Sequence, residues 1–343
     1  MKLDFERRVL RFARPLETPY GVLEQRELLL VSLTGEDGTS GYGEAAPLEP
    51  YDGIGIERAQ AALESYASVL SDASGLNGAQ LVDACRRVDE LPQALAAVDM
   101  ALWDRGGRIA GKPIAALLTD DPASTVPVNA TIAAADRAGV AEQVTAALTA
   151  GYECVKLKVG LGDDAGRLAA ARAAGGTEMT LRIDANGIWE VEEAVRTIEA
   201  LAPVGLELVE EPVHGLTRVR EVRDRVPVRV AIDETAAEHG ALTAGVADAV
   251  CLKISRCGGI GGLIAAAALV RASGAEVYVA STYDGPLGIA AGVHVAAALA
   301  SRGPVPHCGL ATLAMFDGFE NPLPARDGQI DVPRGPGLGV API

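Results

Sequence analysis

A ladder of charged residues constrains this chain more than any other feature. Lys156-Leu-Lys158 is followed by Asp184, Glu210, Asp233 and Lys253, each near the end of an apolar run. Counted from Lys158, the gaps are 26, 26, 23 and 20 residues. That is room for a strand, a helix and two loops, so the period predicts repeated βα units. The candidate strands are Val126–Ala130, Cys154–Val159, Thr180–Asp184, Leu206–Val209, Val228–Ile232, Ala249–Ile254 and Glu276–Ala280. Alanine-rich segments of helical length lie between them, such as Ala138–Thr149 and Gly262–Ala272. Many of the strands are apolar on both faces, as a parallel sheet covered by helices requires. An open doubly wound sheet collects ligands only at its switch point. Charges ending five consecutive strands suit a closed barrel better, because there every strand end faces one site.

The first 120 residues follow a different grammar. Leu28–Leu33 is an apolar run, Gly35-Glu-Asp-Gly38 a turn, and Gly41-Tyr-Gly-Glu-Ala-Ala-Pro47 a strand leaving for a loop. Helical patterns follow over Glu57–Leu70, Gln80–Val88 and from Pro92 through Trp103. Strands and then helices predict an α+β unit. After Phe316 the chain is proline-rich, and Asn321–Val332 is expected to return to the first domain as a strand.

With 343 residues, 49% of them apolar, the chain has material for a barrel of about 250 residues and an accessory unit. A net charge of −16 without a basic cluster argues against nucleic-acid binding. The run Ala290–Ala300 is too short for a bilayer and contains His294. Five cysteines without a C-x-x-C pair fit a reducing, cytoplasmic setting, with Cys154 and Cys251 in the core. Gly160-Leu-Gly162 lacks the third glycine of a dinucleotide fingerprint. His214, His239, His294 and His307 read as structural residues.

On a strand Lys156 and Lys158 face the same way. Burial and mutual repulsion are expected to lower a lysine pKa there, which suits a general base. Asp184, Glu210 and Asp233 can meet around a hard divalent cation, Mg²⁺ by preference, with Asn186 and Glu234 as outer hydrogen-bond partners. No Cys/His cluster competes for zinc. Lys253 is expected across the barrel from the lysine pair. Together these residues suit removal of a proton beside a carboxylate, with positive charge stabilising the enolate.

Further motifs carry a family resemblance. Ala97-Val-Asp-Met-Ala-Leu-Trp-Asp104, Lys156-Leu-Lys158, Arg182-Ile-Asp-Ala-Asn186, Val209-Glu-Glu-Pro212, Ile232-Asp-Glu-Thr235 and Leu252-Lys253 resemble the muconate-lactonizing-enzyme subgroup of the enolase superfamily. The resemblance implies an α/β fold: a modified TIM barrel, (β/α)₇β, with an N-terminal α+β capping domain completed by the C-terminal tail. The expected limits are 1–120 for the cap, 121–312 for the barrel and 313–343 for the tail. It implies Mg²⁺, with Mn²⁺ as a substitute, on Asp184, Glu210 and Asp233, and Lys158 and Lys253 as facing lysines, with Lys156 beside them. Glu210 rather than Glu211 matches the ligand, because the family's glutamate lies two residues before the proline. Two capping loops, about Pro15–Leu23 and Pro47–Gly55, would bring Tyr20 and Tyr51 to the substrate. Ser281, Thr282, Asp284 and Gly309 would line the far side.

Pro15-Leu-Glu-Thr-Pro-Tyr-Gly21, Gly41–Pro47 and Cys308-Gly-Leu-Ala-Thr-Leu313 are similar to o-succinylbenzoate synthases. Dipeptide epimerases usually carry an Asp-x-Asp pair near the last strand, and His307–Met315 contains no acid. The expected activity is therefore the synthase dehydration of menaquinone biosynthesis, a lyase reaction. The alternatives are isomerases: a dipeptide epimerase, an N-succinylamino acid racemase or a muconate-type cycloisomerase. A non-catalytic binding protein on the same barrel is the alternative of another class. Asp284 is expected to cap the helix starting near Pro286 or to meet a substrate ammonium. The glycines of Arg256–Gly262 could offer N–H groups to a substrate carboxylate. The partner is a small carboxylate substrate, not nucleic acid or membrane, and a homo-oligomer is allowed.

Overall fold

The structure is a computed structural model that describes all residues except 19–20, 73–74 and 161, and the side chain of Glu17. Strands β1 (Lys2–Thr18) and β2 (Gly21–Thr34) pair antiparallel from Lys2↔Thr34 to Thr18↔Gly21, with a register shift between Arg11 and Leu16. Strand β3 (Ser40–Ala45) pairs with β2. The run Leu28–Leu33 is apolar throughout because this sheet is covered on both faces. Leu28 and Leu30 join the core shared with the barrel, whereas Leu29, Val31 and Leu33 join a separate core of the cap.

That second core is completed by helices α2 (Ile56–Asp72), α3 (Gly78–Val88) and α4 (Pro92–Ala110), after the single turn α1 (Glu49–Asp52). Asn77 and Gln80 form a capping box at the start of α3, and Pro92 opens α4 where its missing N–H costs nothing. Helix α4 lies directly on β3. A Cβ on Gly41 would stand 2.0 Å from the Ala101 carbonyl oxygen, and one on Gly43 2.1 Å from that of Ala97. The two glycines admit the helix backbone. Helix α5 (Ile114–Leu118) leads into the barrel.

Strand β4 (Thr125–Pro127) precedes the parallel strands β5 (Ala130–Ile132), β6 (Cys154–Lys158), β7 (Thr180–Asp184), β8 (Leu206–Glu210), β9 (Arg229–Ile232), β10 (Ala249–Lys253) and β11 (Glu276–Ala280). They neighbour one another in chain order, a curled seven-stranded parallel sheet. Closure comes from Cys308–Gly309, which bridges Val128 on one side and Ala280 on the other. Helices α6 (Arg137–Thr149), α7 (Asp164–Gly175), α8 (Val191–Leu201), α9 (Leu216–Arg223), α10 (Ile260–Ala272) and α11 (Pro286–Ala300) cover the outside. The mixed α/β architecture is thus the expected cap and barrel.

Three details differ from expectation. Only short 3₁₀ turns, Glu234–Ala237 and Ala241–Thr243, separate β9 from β10, where an α-helix was expected. The candidate strand Val126–Ala130 is split between β4 and β5 at Pro127, whose missing N–H interrupts a ladder. The strand of the tail, Gln329–Asp331, pairs with Thr125–Pro127 rather than with the cap. Contacts of the tail with the cap come instead from Phe316–Asp317 on β1 and from Leu338, whose N–H donates to Asp104. No helix among the described residues is long and apolar enough to cross a membrane.

Candidate active site

Strand register brings the ladder together. Lys158 is level with Asp184, and Asp184 with Glu210. Asp233 follows the last residue of β9, and Lys253 closes β10, four strands round from β6. Below them the interior is filled, with Leu208, Ala231, Cys251, Tyr278 and Ala280 in one cluster. Side chains at successive strand ends therefore have nowhere to go but upward into one site.

Lys156 Nζ lies 3.1 Å from Asp184 Oδ2 and 3.0 Å from Glu210 Oε1, bridging two strands. Lys158 Nζ donates to Asp184 Oδ2 at 2.7 Å and to Asn186 Oδ1 at 2.6 Å. Opposite, the Lys253 ammonium is paired with Asp233, donates to the Tyr51 hydroxyl at 2.8 Å and sits 4.4 Å over the Tyr51 ring. Burial works to lower all three lysines, but the carboxylates outweigh it. Glu210 and Asp184 hold Lys156 well above its ordinary value, Asp184 holds Lys158 above, and Asp233 holds Lys253 well above. The expected depressed lysine is therefore corrected: neighbouring negative charge prevails over burial and the second ammonium. The acids respond in kind. Burial would raise Asp184, yet Lys158 and Lys156 hold it well below the carboxylate range, and Lys253 does the same more weakly for Asp233. Glu210 is raised, because burial exceeds the help from Lys156.

Asn186 and Glu234 border the lysines and acids. Asn186 Nδ2 donates to Glu234 Oε1 at 2.9 Å, and the Asn186 N–H to Asp184 Oδ1 at 3.0 Å. Burial, then Asp233 and Asp184, raise Glu234 to about 7. Glu211 turns away from Glu210 and stitches the next loop, accepting from the N–H groups of Asp233 and Thr235 at 2.7 and 2.9 Å. Asn186, Glu211 and Tyr283 all have positive φ, at 46°, 41° and 58°. Held strain of this kind gathers at functional sites, and here it follows three barrel strands.

A cavity of about 70 Å³ lies above the lysines, lined among others by Tyr51, Ser281, Thr282 and Gly309. Tyr20 lies outside the described residues. Asp284 is corrected: its carboxylate turns away from the cavity and accepts from Thr282 Oγ1 at 2.7 Å. It caps nothing either, since α11 has Gly285 as N-cap and no side-chain cap. The Arg256–Gly262 loop is likewise committed within the chain, because the Gly261 N–H donates to Asp99 at 3.1 Å. Thr131, Tyr283 and Thr312 also line the cavity and were not anticipated. The Tyr-Asp-Gly turn after β11 was the only signal for Tyr283. A larger pocket of about 980 Å³ lies beyond Asp233 and Lys253, with Asp52, Glu90, Glu238 and Arg256 in its wall.

The donor set fits a hard divalent cation. Lys156 bridges the carboxylates of Asp184 and Glu210, and Asp233 beside the next strand pairs with Lys253, so lysine ammoniums stand as the positive charge among the three acids. Oxygens of Glu210 and Asp233 also lie within 4.8 Å of each other and of Cys251 Sγ. Burial raises the Cys251 thiol well above its usual range, so it stays protonated and leaves the oxygens as donors.

Comparison with known proteins agrees with this geometry. The family described as enolase C-terminal domain-like matches residues 139–342, and the mandelate racemase / muconate lactonizing enzyme N-terminal domain matches residues 5–119. Muconate cycloisomerase 1 of Rhodococcus opacus is 31% identical over 347 residues, 95% of this chain and 91% of that protein. An o-succinylbenzoate synthase of Thermobifida fusca is 38% identical over 224 residues, covering 61% of this chain and 67% of that one. A crystal structure of a dipeptide epimerase from Cytophaga hutchinsonii, complexed with Mg and D-Ala-L-Val, superposes with a TM-score of 0.89 at 25% identity, over 98% of this chain and 94% of that one. The chain belongs to the enolase superfamily, in its muconate-lactonizing-enzyme subgroup, and is an enzyme of that type.

Proposed function

We propose that this enzyme removes a proton next to a substrate carboxylate to give an enediolate, and that its net reaction is the dehydration of o-succinylbenzoate synthases. The observation that carries this reading is the pair of lysine clusters facing each other across the cavity, over carboxylates that fit a divalent cation. Lys158 takes the proton and returns it to the departing hydroxide, so one group serves as base and then acid. Lys253, held cationic by Asp233, donates to the enediolate from the other face. Lys156 sets the charge around Lys158, and Asn186 and Glu234 orient Lys158 and Asp184. Asp184, Glu210 and Asp233 would hold Mg²⁺, or Mn²⁺ in its place. When bound, that ion would supply positive charge opposite the substrate carboxylate, and Lys158 would then lose the Asp184 charge that holds it cationic.

Among the described residues no acid other than Asp184 and Asp233 lines the cavity, which favours a substrate without an ammonium group. The likeness to the Thermobifida synthase supports the dehydration. The cavity is far smaller than the roughly 300–1,000 Å³ of ordinary ligand pockets, so Tyr51 and its loop must yield to admit substrate. One observation favours a second reading, epimerisation or racemisation of a peptide or N-acyl amino acid. Asp233 and Lys253 line both the cavity and the larger pocket, whose wall carries the acids Asp52, Glu90 and Glu238.

The test is a direct assay of the purified protein with the synthase's cyclohexadiene carboxylate, N-succinylamino acids and a dipeptide panel, in ²H₂O, before and after EDTA. Turnover of the synthase substrate that is lost with EDTA and restored by Mg²⁺ is expected. Deuterium uptake by dipeptides alone would overturn the dehydration and keep the proton abstraction. Unchanged turnover after EDTA would overturn the metal's part.

A further inference from the structure

Tyr278 is the only polar side chain of the strand Glu276-Val-Tyr-Val-Ala280 that faces the barrel interior. It is 2% exposed, and a buried phenol needs a partner for its O–H. The partner lies across the barrel: Tyr278 Oη donates to Glu210 Oε2 at 2.7 Å, between residues 68 apart in sequence. The Arg182 guanidinium lies 5.4 Å over the ring and packs it in place. We infer that Tyr278 is a positioning residue for Glu210, holding one carboxylate oxygen so that the other faces Asp184 and Asp233 for a divalent cation.

Three observations lead there. The oxygens of Glu210 are divided between unlike partners, a neutral phenol on Oε2 and the Lys156 ammonium on Oε1. A cation can replace an ammonium, but it gains nothing by displacing a neutral donor, so Oε1 is the exchangeable side. Glu210 also has one more rotatable bond than Asp184 or Asp233, and hence more freedom to lose on binding. Asp184 is steadied by the Asn186 N–H from its own strand end. Glu210 has its fixed donor only from β11. Finally, a Glu210 oxygen lies within 4.8 Å of both an Asp233 oxygen and Cys251 Sγ, so the thiol shares the space between the acids and the direction of the carboxylate matters.

The inference rests on the metal reading above, and the experiment separates the two. Mn²⁺ binding to the apoprotein is measured by electron paramagnetic resonance of the free ion, for wild type, Tyr278→Phe, Tyr278→Leu and Glu210→Gln. Loss of an outer partner of this kind typically weakens metal binding about 10–100-fold, and that is expected for both Tyr278 variants. Circular dichroism and a cooperative melt identify a folded variant, and a single folded one suffices. A folded variant that binds Mn²⁺ as tightly as wild type overturns the role of Tyr278 and leaves the metal site standing. Wild type that binds no Mn²⁺ overturns the metal reading itself, and this inference with it.

Discussion

Lys158 and Lys253 are chemically the same group in unlike surroundings. Lys253 is bound to Asp233, to the Tyr51 hydroxyl and to the face of the Tyr51 ring, all of which favour the ammonium. Lys158 depends on Asp184, since its other partner, Asn186, is neutral. Removing charge from one acid therefore frees Lys158, whereas Lys253 keeps its aromatic partner. This asymmetry underlies the assignment of Lys158 as base. Lys158→Ala should lower kcat by about 10²–10⁴-fold, the usual worth of a positioned base, while Mn²⁺ still binds. Wild-type turnover by that variant would remove Lys158 from the role. Asp284 calls for the opposite outcome. Its carboxylate is buried against Thr282, and the buried Arg26 donates to the Thr282 carbonyl at 3.2 Å. Asp284→Asn should shift the urea midpoint and leave KM nearly unchanged, even for an amine-bearing substrate. A large rise in KM would return Asp284 to the substrate.

Within elements, backbone proximity decides what a residue can be. Gly43 lets α4 lie against β3, and a methyl there meets the Ala97 carbonyl with no flexible side chain to move aside. Gly106, on the same helix, has nothing within 4 Å of its Cβ position. Gly43→Ala should cost about 1–3 kcal/mol, as overpacking does. Gly106→Ala should gain roughly 0.5–1 kcal/mol from helix propensity. Denaturant unfolding of the two variants checks both signs, and a neutral Gly43→Ala would mean the helix can move off. Both glycines are equally visible in the sequence, but only the three-dimensional partner tells them apart. The same distinction runs through the whole chain. The strands of the barrel were legible because apolar runs and end charges are local signals. The tail's pairing with β4 was not, since a short strand carries no record of its partner. Nor was the missing helix between β9 and β10, where a segment of 16 residues satisfies its backbone with 3₁₀ turns. The acids and lysines of the site were legible as a ladder. Tyr278, Tyr283 and Thr131 belong to it through contacts across the barrel or cap, which no spacing encodes.

At the scale of the molecule, the cap is joined to the barrel by buried acids set at helix starts. Glu44 of β3 accepts from the Leu287 N–H at the start of α11, at 3.3 Å. Asp99 of α4 does the same for Gly261 at the start of α10. Glycines make room for both: a Cβ on Gly285 would lie 2.6 Å from Glu44 Oε2, and one on Gly259 2.4 Å from Asp99 Oδ2. Helix N-termini favour negative charge, but burial opposes it. Burial prevails, aided at Glu44 by Asp284, so Glu44 is raised to about 8 and Asp99 to about 6. A carboxyl group with a raised pKa binds more protons folded than unfolded, so stability falls as pH rises. For Glu44 the fall begins near its ordinary value of 4.5 and ends near 8, and for Asp99 it is over near 6. Asp184 runs the other way, but its contribution is lost only in acid, below the ordinary 3.8. Glu234 and His214, both raised, slope in the same direction as Glu44. The difference between wild type and Glu44→Gln isolates the one group. In EDTA, where metal uptake adds no pH dependence of its own, the urea midpoint of wild type should fall between pH 6 and 8. The slope due to Glu44 is at most about 1.4 kcal/mol per pH unit. Glu44→Gln should fall less steeply and should overtake wild type in stability by pH 8. If the two curves stay parallel, Glu44 carries its charge in the folded protein, and the junction of cap and barrel is an ionic cap on α11 rather than a protonated one.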